Sequence, residues 1–171
     1  MNCLVRIGLA AAILTVSACA SVPMAPKAWD LTAKTFPTPP LDRAHIYIYR
    51  NEFMGAAVKM DLRLDGYPAG ITVAKTFTLL PVRPGNHVLT SEAENTAQLS
   101  VHAAPGATIF VWQEVKMGIL FARTALRLVS PEKGRAGVLE CDLIAAPPPP
   151  MPPLPSAPSE LPPPPSGPPS P

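Results

Sequence analysis

The sequence predicts an all-β domain: a small antiparallel β-sandwich of the immunoglobulin- or transthyretin-like kind, over residues 44–144, with one short helix near its C-terminal end. Three observations predict it. Apolar runs rich in β-branched and aromatic residues recur at intervals of roughly ten residues, the spacing of sandwich and barrel strands. Turn pairs separate them, among them Asp65-Gly66, Pro84-Gly85 and Pro105-Gly106. The run 58–64 alternates, with Val58, Met60, Leu62 and Leu64 on one face and Lys59, Asp61 and Arg63 on the other, the period of a half-buried strand.

The elements follow in order. Residues 45–50 (HIYIYR) suit a strand by composition, and 51–55 connect it to the alternating run. Asp65-Gly66 is a strong hairpin signal, so 67–73 returns, followed by 76–82. Strands are expected at 87–91 and 97–101 around the polar turn 92–96, then at 108–115 and 119–129. Ser130-Pro131-Glu132 reads as a helix start, with Ser as N-cap and Pro at the first helical position. Gly134 and Gly137 weaken that helix, which leaves a short one over 131–138 and a last strand over 139–144.

The flanks differ sharply from the domain. Of the 25 prolines, fifteen fall in 147–171, where the only charge is Glu160. Such a tail lacks the apolar side chains for a core and the N–H groups for a ladder, so 145–171 reads as a disordered proline-rich tail. In polyproline II form its last 25 residues would reach roughly 75 Å, as a spacer or as a docking strip for an aromatic groove. Residues 20–43 carry five prolines and little periodicity, and read as a tether in which Trp29 and Phe36 could touch the domain or a membrane interface.

At the other end, Arg6 precedes an uncharged, mostly apolar run at 7–16. Ten residues are too few to span a bilayer, which takes about 20, but suit the apolar core of an export signal. Val16-Ser17-Ala18-Cys19 resembles the lipobox of bacterial lipoproteins. The resemblance implies a signal peptide over 1–18 and a tether over 19–43 that starts at a lipidated Cys19. Two or three acyl chains anchor firmly where one does not. Ala20 is not the aspartate that holds such proteins at the inner membrane, which points to the periplasmic face of the outer membrane.

Tyr47-x-Tyr49-Arg50, Leu64-Asp65-Gly66, Pro84-Gly85-x-His87, Gln113-Glu114-Val115 and Glu132-x-Gly134-Arg135, in that order behind a lipobox, resemble the bacterial lipoprotein family called Domain of Unknown Function 2846. The resemblance covers about 44–143. It implies an envelope location and an all-β domain, and supplies no activity.

The chemistry the residues offer is sparse. Only Arg6 among the charged residues lies in 1–18, so the exported chain holds 13 basic and 12 acidic side chains. The basic ones are scattered, without the concentrated positive face that nucleic acid requires. Cys141 is the one thiol left free, so no internal disulfide is expected, and its apolar surroundings suggest a buried structural role. His45, His87 and His102 show no metal-ligand spacing; His87 is expected to pack at a strand start with a ring nitrogen bonded to backbone. Asp61 and Asp65 read as a solvated face and turn. The apolar stretch 117–122 is either core strand or an exposed tip that touches a membrane or partner.

No catalytic, cofactor-binding or metal-ligating residue emerges, and Cys19 is the one site residue. The sequence therefore predicts a lipid-anchored, non-catalytic binding or structural module. Its partners would be the membrane, through Cys19, and an envelope protein or peptidoglycan. The alternatives are an envelope spacer acting through the proline tail, and an uncharacterised hydrolase or metal-binding protein.

Overall fold

The computed structural model describes residues 20–118 and 122–145. The expected export signal, Cys19, the proline-rich tail from residue 146 and residues 119–121 lie outside the described residues. The elements are α1 (Lys27–Ala33), β1 (Ala44–Arg50), β2 (Met60–Leu64), β3 (Tyr67–Thr72), β4 (Thr76–Val82), β5 (Gly85–Glu92), β6 (Thr96–Ala103), β7 (Thr108–Met117), β8 (Ala122–Val129), α2 (Pro131–Leu139) and β9 (Asp142–Leu143).

The strands form two sheets, ordered β8-β7-β1-β4-β9 and β3-β2-β5-β6. The expected mostly-β architecture holds, and each strand lies within a few residues of its expected place. The Asp-Gly turn forms as its residues require: Asp65 and Gly66 both have positive φ, 52° and 84°, the mark of a type I′ hairpin. Ser130 caps α2, its Oγ accepting from Lys133 N–H at 3.4 Å.

Three features differ from the sequence expectation. First, pairing is not wholly antiparallel. β1 pairs antiparallel with β4 but parallel with β7, and β9 joins β4 in parallel. The chain between β1 and β7 builds β4 and the whole four-stranded sheet before it returns, which supplies the long crossover that a parallel pair needs. Second, part of the expected tether is structure. Met24 bridges Ile144, Ala25 N–H donates to Leu143 O, and α1 buries Asp30 and Ala33. Third, β9 is only two residues long, because α2 continues to Leu139.

The central strand β1 explains the layering. Its even residues face the other sheet: Ala44, Ile46 and Ile48 join Leu62, Ala69, Leu89, Val101, Ala103 and Val111 in an aliphatic inner core. Its odd residues face outward: Tyr47 and Tyr49 join Phe77, Phe110, Val138, Ala33 and Cys141 in a second, aromatic core. A strand covered on both faces is a continuous apolar run, as 46–49 is. Each fully buried aliphatic or aromatic side chain contributes about 1.5–3 kcal/mol. Both layers are therefore structural, and the molecule has three: one sheet, the other sheet, and two helices over its outer face.

Candidate functional site

Most of the residues that the sequence singles out hold the fold together. Tyr47 Oη donates to Ala33 O at 2.9 Å across the outer core, and burial pushes its pKa up to about 12. Arg50 is wholly buried. It spends its guanidinium on the loop after β1, donating to Val58 O at 2.8 Å, Met54 O at 3.1 Å and Gly55 O at 2.6 Å. Gly55 fits there because its φ is +66° and a Cβ would stand 3.2 Å from that guanidinium. Glu52 in the same loop accepts from Val115 N–H at 2.7 Å.

Asp65 and His87 form one staple between two turns. Asp65 takes Val88 N–H at 2.8 Å and lies 2.7 Å from His87 Nδ1, while His87 Nε2 lies 2.8 Å from Arg83 O. The expected backbone bond of His87 is present, and the carboxylate is a second partner. Burial alone would lower the His87 pKa, but two acceptors on its two nitrogens outweigh it and the net shift is upward. For Asp65, too, burial works against the charge, and the His87 and Val88 bonds bring the pKa below its usual value.

Gln113 lies in the core between the sheets, in a chain of buried polar groups. Thr72 Oγ1 donates to its Oε1 at 2.6 Å, its Nε2 donates to Ser91 Oγ at 2.7 Å, and Ser91 Oγ lies 2.8 Å from Thr124 Oγ1. This chain ties β3, β5, β7 and β8 at one end of the sandwich. Gly134 and Gly137 seat α2: a Cβ would come within 2.2 Å of the Phe110 side chain and 2.1 Å of the Tyr49 ring respectively. Arg135 lies over the Phe36 ring at 5.5 Å. Cys141 is buried beneath α2, with Sγ 3.5 Å from Arg50 O, and burial raises its pKa to about 12, as a structural thiol requires. Asp61 is exposed, and His102 Nδ1 lies 2.8 Å from Asn86 Oδ1. Met117 is 83% exposed, which favours an exposed tip at that hairpin. Among the described residues, no three His, Cys, Asp or Glu side chains gather as a metal site.

One feature among the described residues that the packing does not account for is a groove beside α1. It has a volume of about 310 Å³, and its lining includes Trp29, Thr32, Pro37, Leu79, Pro81 and Ile144. α1 forms one wall and β4 the floor. Trp29 stands 65% exposed, which is unusual for an indole unless it has something to cover it. The wall is tied to β9 through Asp30, which lies on the buried side of α1. Its carboxylate accepts from Lys27 Nζ at 2.8 Å, from Lys34 Nζ at 3.1 Å and from Leu143 N–H at 3.0 Å. Burial opposes the Asp30 charge, and these bonds overcome it and hold the carboxyl below its ordinary range.

Sequence reasoning missed α1 and therefore the groove, because five prolines dominate 20–43. A signal was present. Pro26 precedes seven residues free of Gly and Pro, and Asp30 sits three after Lys27 and four before Lys34, the spacing of neighbours on a helix.

A family model described as "Protein of unknown function (DUF2846)" matches residues 40–124. A protein of Haemophilus influenzae described as "Uncharacterized protein" is 31% identical over 139 residues, covering 81% of this chain and 83% of that protein. No solved structure matches.

Proposed function

The chain belongs to the family described as protein of unknown function (DUF2846), and from that premise we propose that it is a lipid-anchored envelope protein that binds without catalysis. Its ligand is an extended apolar or proline-rich segment of another envelope component, and its binding face is the groove beside α1. One observation carries this reading: an exposed tryptophan lines an apolar groove whose helical wall is tied to β9 through a buried aspartate. An aromatic-lined groove suits recognition of extended apolar chain.

Two further points support it. Two of the three histidines are engaged in structural bonds, His87 with Asp65 and Arg83, and His102 with Asn86. The anchor also sits close to the groove. Cys19 precedes Pro23 by four residues, at most about 14 Å of extended chain, and Pro23 O accepts from Ala145 N–H next to Ile144 of the lining. Acyl chains on Cys19 would hold the groove near the surface of the outer membrane, where an envelope partner is within reach.

A photoreactive side chain at Thr32, inside the groove, tests the binding face against one at Asp61 on the other sheet. In intact cells position 32 should give one defined adduct with an envelope component, weakened by Trp29→Ala, and position 61 should not. Equal adducts from both positions, or none from position 32, would refute the assignment.

A further inference from the structure

We propose that the resting occupant of the groove is the chain's own proline-rich segment, residues 147–155, so that an envelope partner binds by displacing it. The proposal rests on the groove being a binding surface and adds what fills it first.

The exit of the chain is the first argument. Ile144 lines the groove, and Ala145 N–H is bonded to Pro23 O at its rim, 2.9 Å away. The 26 residues that follow the last described one therefore start at the groove, with no linker to cross. A segment tethered this closely acts at an effective concentration on the order of millimolar, so even weak contacts suffice to fill the site.

Chemical fit is the second argument. Residues 147–155 read PPPPMPPLP, with Met151 and Leu154 as the larger apolar side chains and no charge before Glu160. Proline has no N–H, so seven of these nine residues bring no donor that an apolar groove would leave unsatisfied. A polyproline II rod is already ordered before it docks and loses little entropy. It can lay pyrrolidine rings against Trp29, Pro37 and Pro81. The site is concave, with a helix as one wall and β4 as its floor, and so fits a rod better than the flat surface of a bilayer.

The test compares the full exported chain carrying Cys19→Ala with the same chain ending at residue 146. Trp29 and Trp112 are the two indoles, which NMR resolves once Trp29→Phe assigns the signals. Truncation should move the Trp29 indole resonance and raise its acrylamide quenching about twofold, as an uncovered ring gains solvent, while Trp112 stays put and reports an intact fold. A peptide of residues 147–155 should return the Trp29 signal in the short chain and leave the full chain unchanged.

An identical Trp29 signal in both chains overturns the proposal, as does peptide binding of equal strength to both. A tail-dependent shift that grows with protein concentration, together with a dimeric mass, overturns it in favour of docking between copies. Lipid vesicles that shift Trp29 equally in both chains overturn it in favour of a membrane. If any of these results appears while the position-32 adduct to a partner persists, the groove remains a binding site and only its resting occupant is refuted.

Discussion

The two faces of the β8-β7-β1-β4-β9 sheet are both buried, yet they are built differently. The inner face is aliphatic and ends in the Thr72-Gln113-Ser91-Thr124 chain, where every polar atom is matched to a neighbour. The outer face is aromatic and is closed by two short helices, one through glycine contacts and one through a buried charge. The inner face is sealed by the other sheet. The outer face is sealed in pieces, and the gap between α1 and β4 is the groove. The comparison teaches that a face covered by small separate elements can leave a binding surface without weakening the sandwich beneath it.

Breaking the inner face should cost most. Gln113→Leu removes the bonds that Thr72 and Ser91 make to Gln113, while Thr72 keeps Met60 O at 3.3 Å and Ser91 keeps Thr124 Oγ1 at 2.8 Å, so each lost bond costs about 0.5–1.5 kcal/mol. We expect a loss of about 2 kcal/mol in urea unfolding. Adding Thr72→Val to the same chain should recover part of it, because the Thr72 hydroxyl, left with only its longer bond to Met60 O, is then gone. A single substitution with no measurable effect would mean that the polar chain is not a constraint.

The outer face should break more gently and with an unusual sign. Alanine for glycine within a helix ordinarily stabilises by up to about 1 kcal/mol. At Gly137 a Cβ would stand 2.1 Å from the Tyr49 ring, and overpacking costs typically about 1–3 kcal/mol. Gly137→Ala should therefore destabilise by about 1–2 kcal/mol, and a rise in melting temperature would contradict the close seating of α2.

Asp30→Asn sharpens the contrast between the two faces. The loss should be about 1–2 kcal/mol, since hydrogen bonds to a charged group are worth roughly 1.5–3 kcal/mol each and the amide keeps some of them. Hydrogen exchange should rise in α1 and β9 and stay unchanged in β2, β5 and β6. Acceleration throughout would mean that the outer layer does not open by itself.

The smallest effect concerns pH, and the two carboxylate sites differ in sign. The pKa of folded His87 is above its ordinary 6.5, so its staple contributes fully below about pH 6.5 and is lost as pH rises through the raised value. Asp30 is lowered from 3.8, so its contribution is present above about pH 4 and is lost as pH falls through the lowered value. His87→Gln should flatten the decline in stability above about pH 6.5, by less than about 1 kcal/mol for a pair whose carboxylate is solvent-exposed. An unchanged slope would remove His87 as its source.

The sequence made the inner face legible and the outer face only in part. Period two in 58–64 and the Asp65-Gly66 and Pro84-Gly85 turns gave the strands, because alternation and turn chemistry are local. Gly134 and Gly137 pointed the wrong way. Propensity counts them against a helix, whereas their purpose is to let the helix approach Phe110 and Tyr49, which only tertiary contact reveals. The same holds for α1, seven residues long in a proline-rich stretch and held by an aspartate whose partner Leu143 is 113 residues away. The parallel pairing of β1 with β7 has no local signal. Of the groove, Trp29 was visible as an unplaced aromatic, and its neighbours Leu79 and Pro81 were not.

The central claim is an anchored binding module, and the intact mass of the protein taken from native membranes, beside a Cys19→Ala variant, tests it most directly. The account predicts a chain that begins at Cys19 and carries two or three acyl groups, lost in the variant. An unacylated chain that begins at another residue would contradict it.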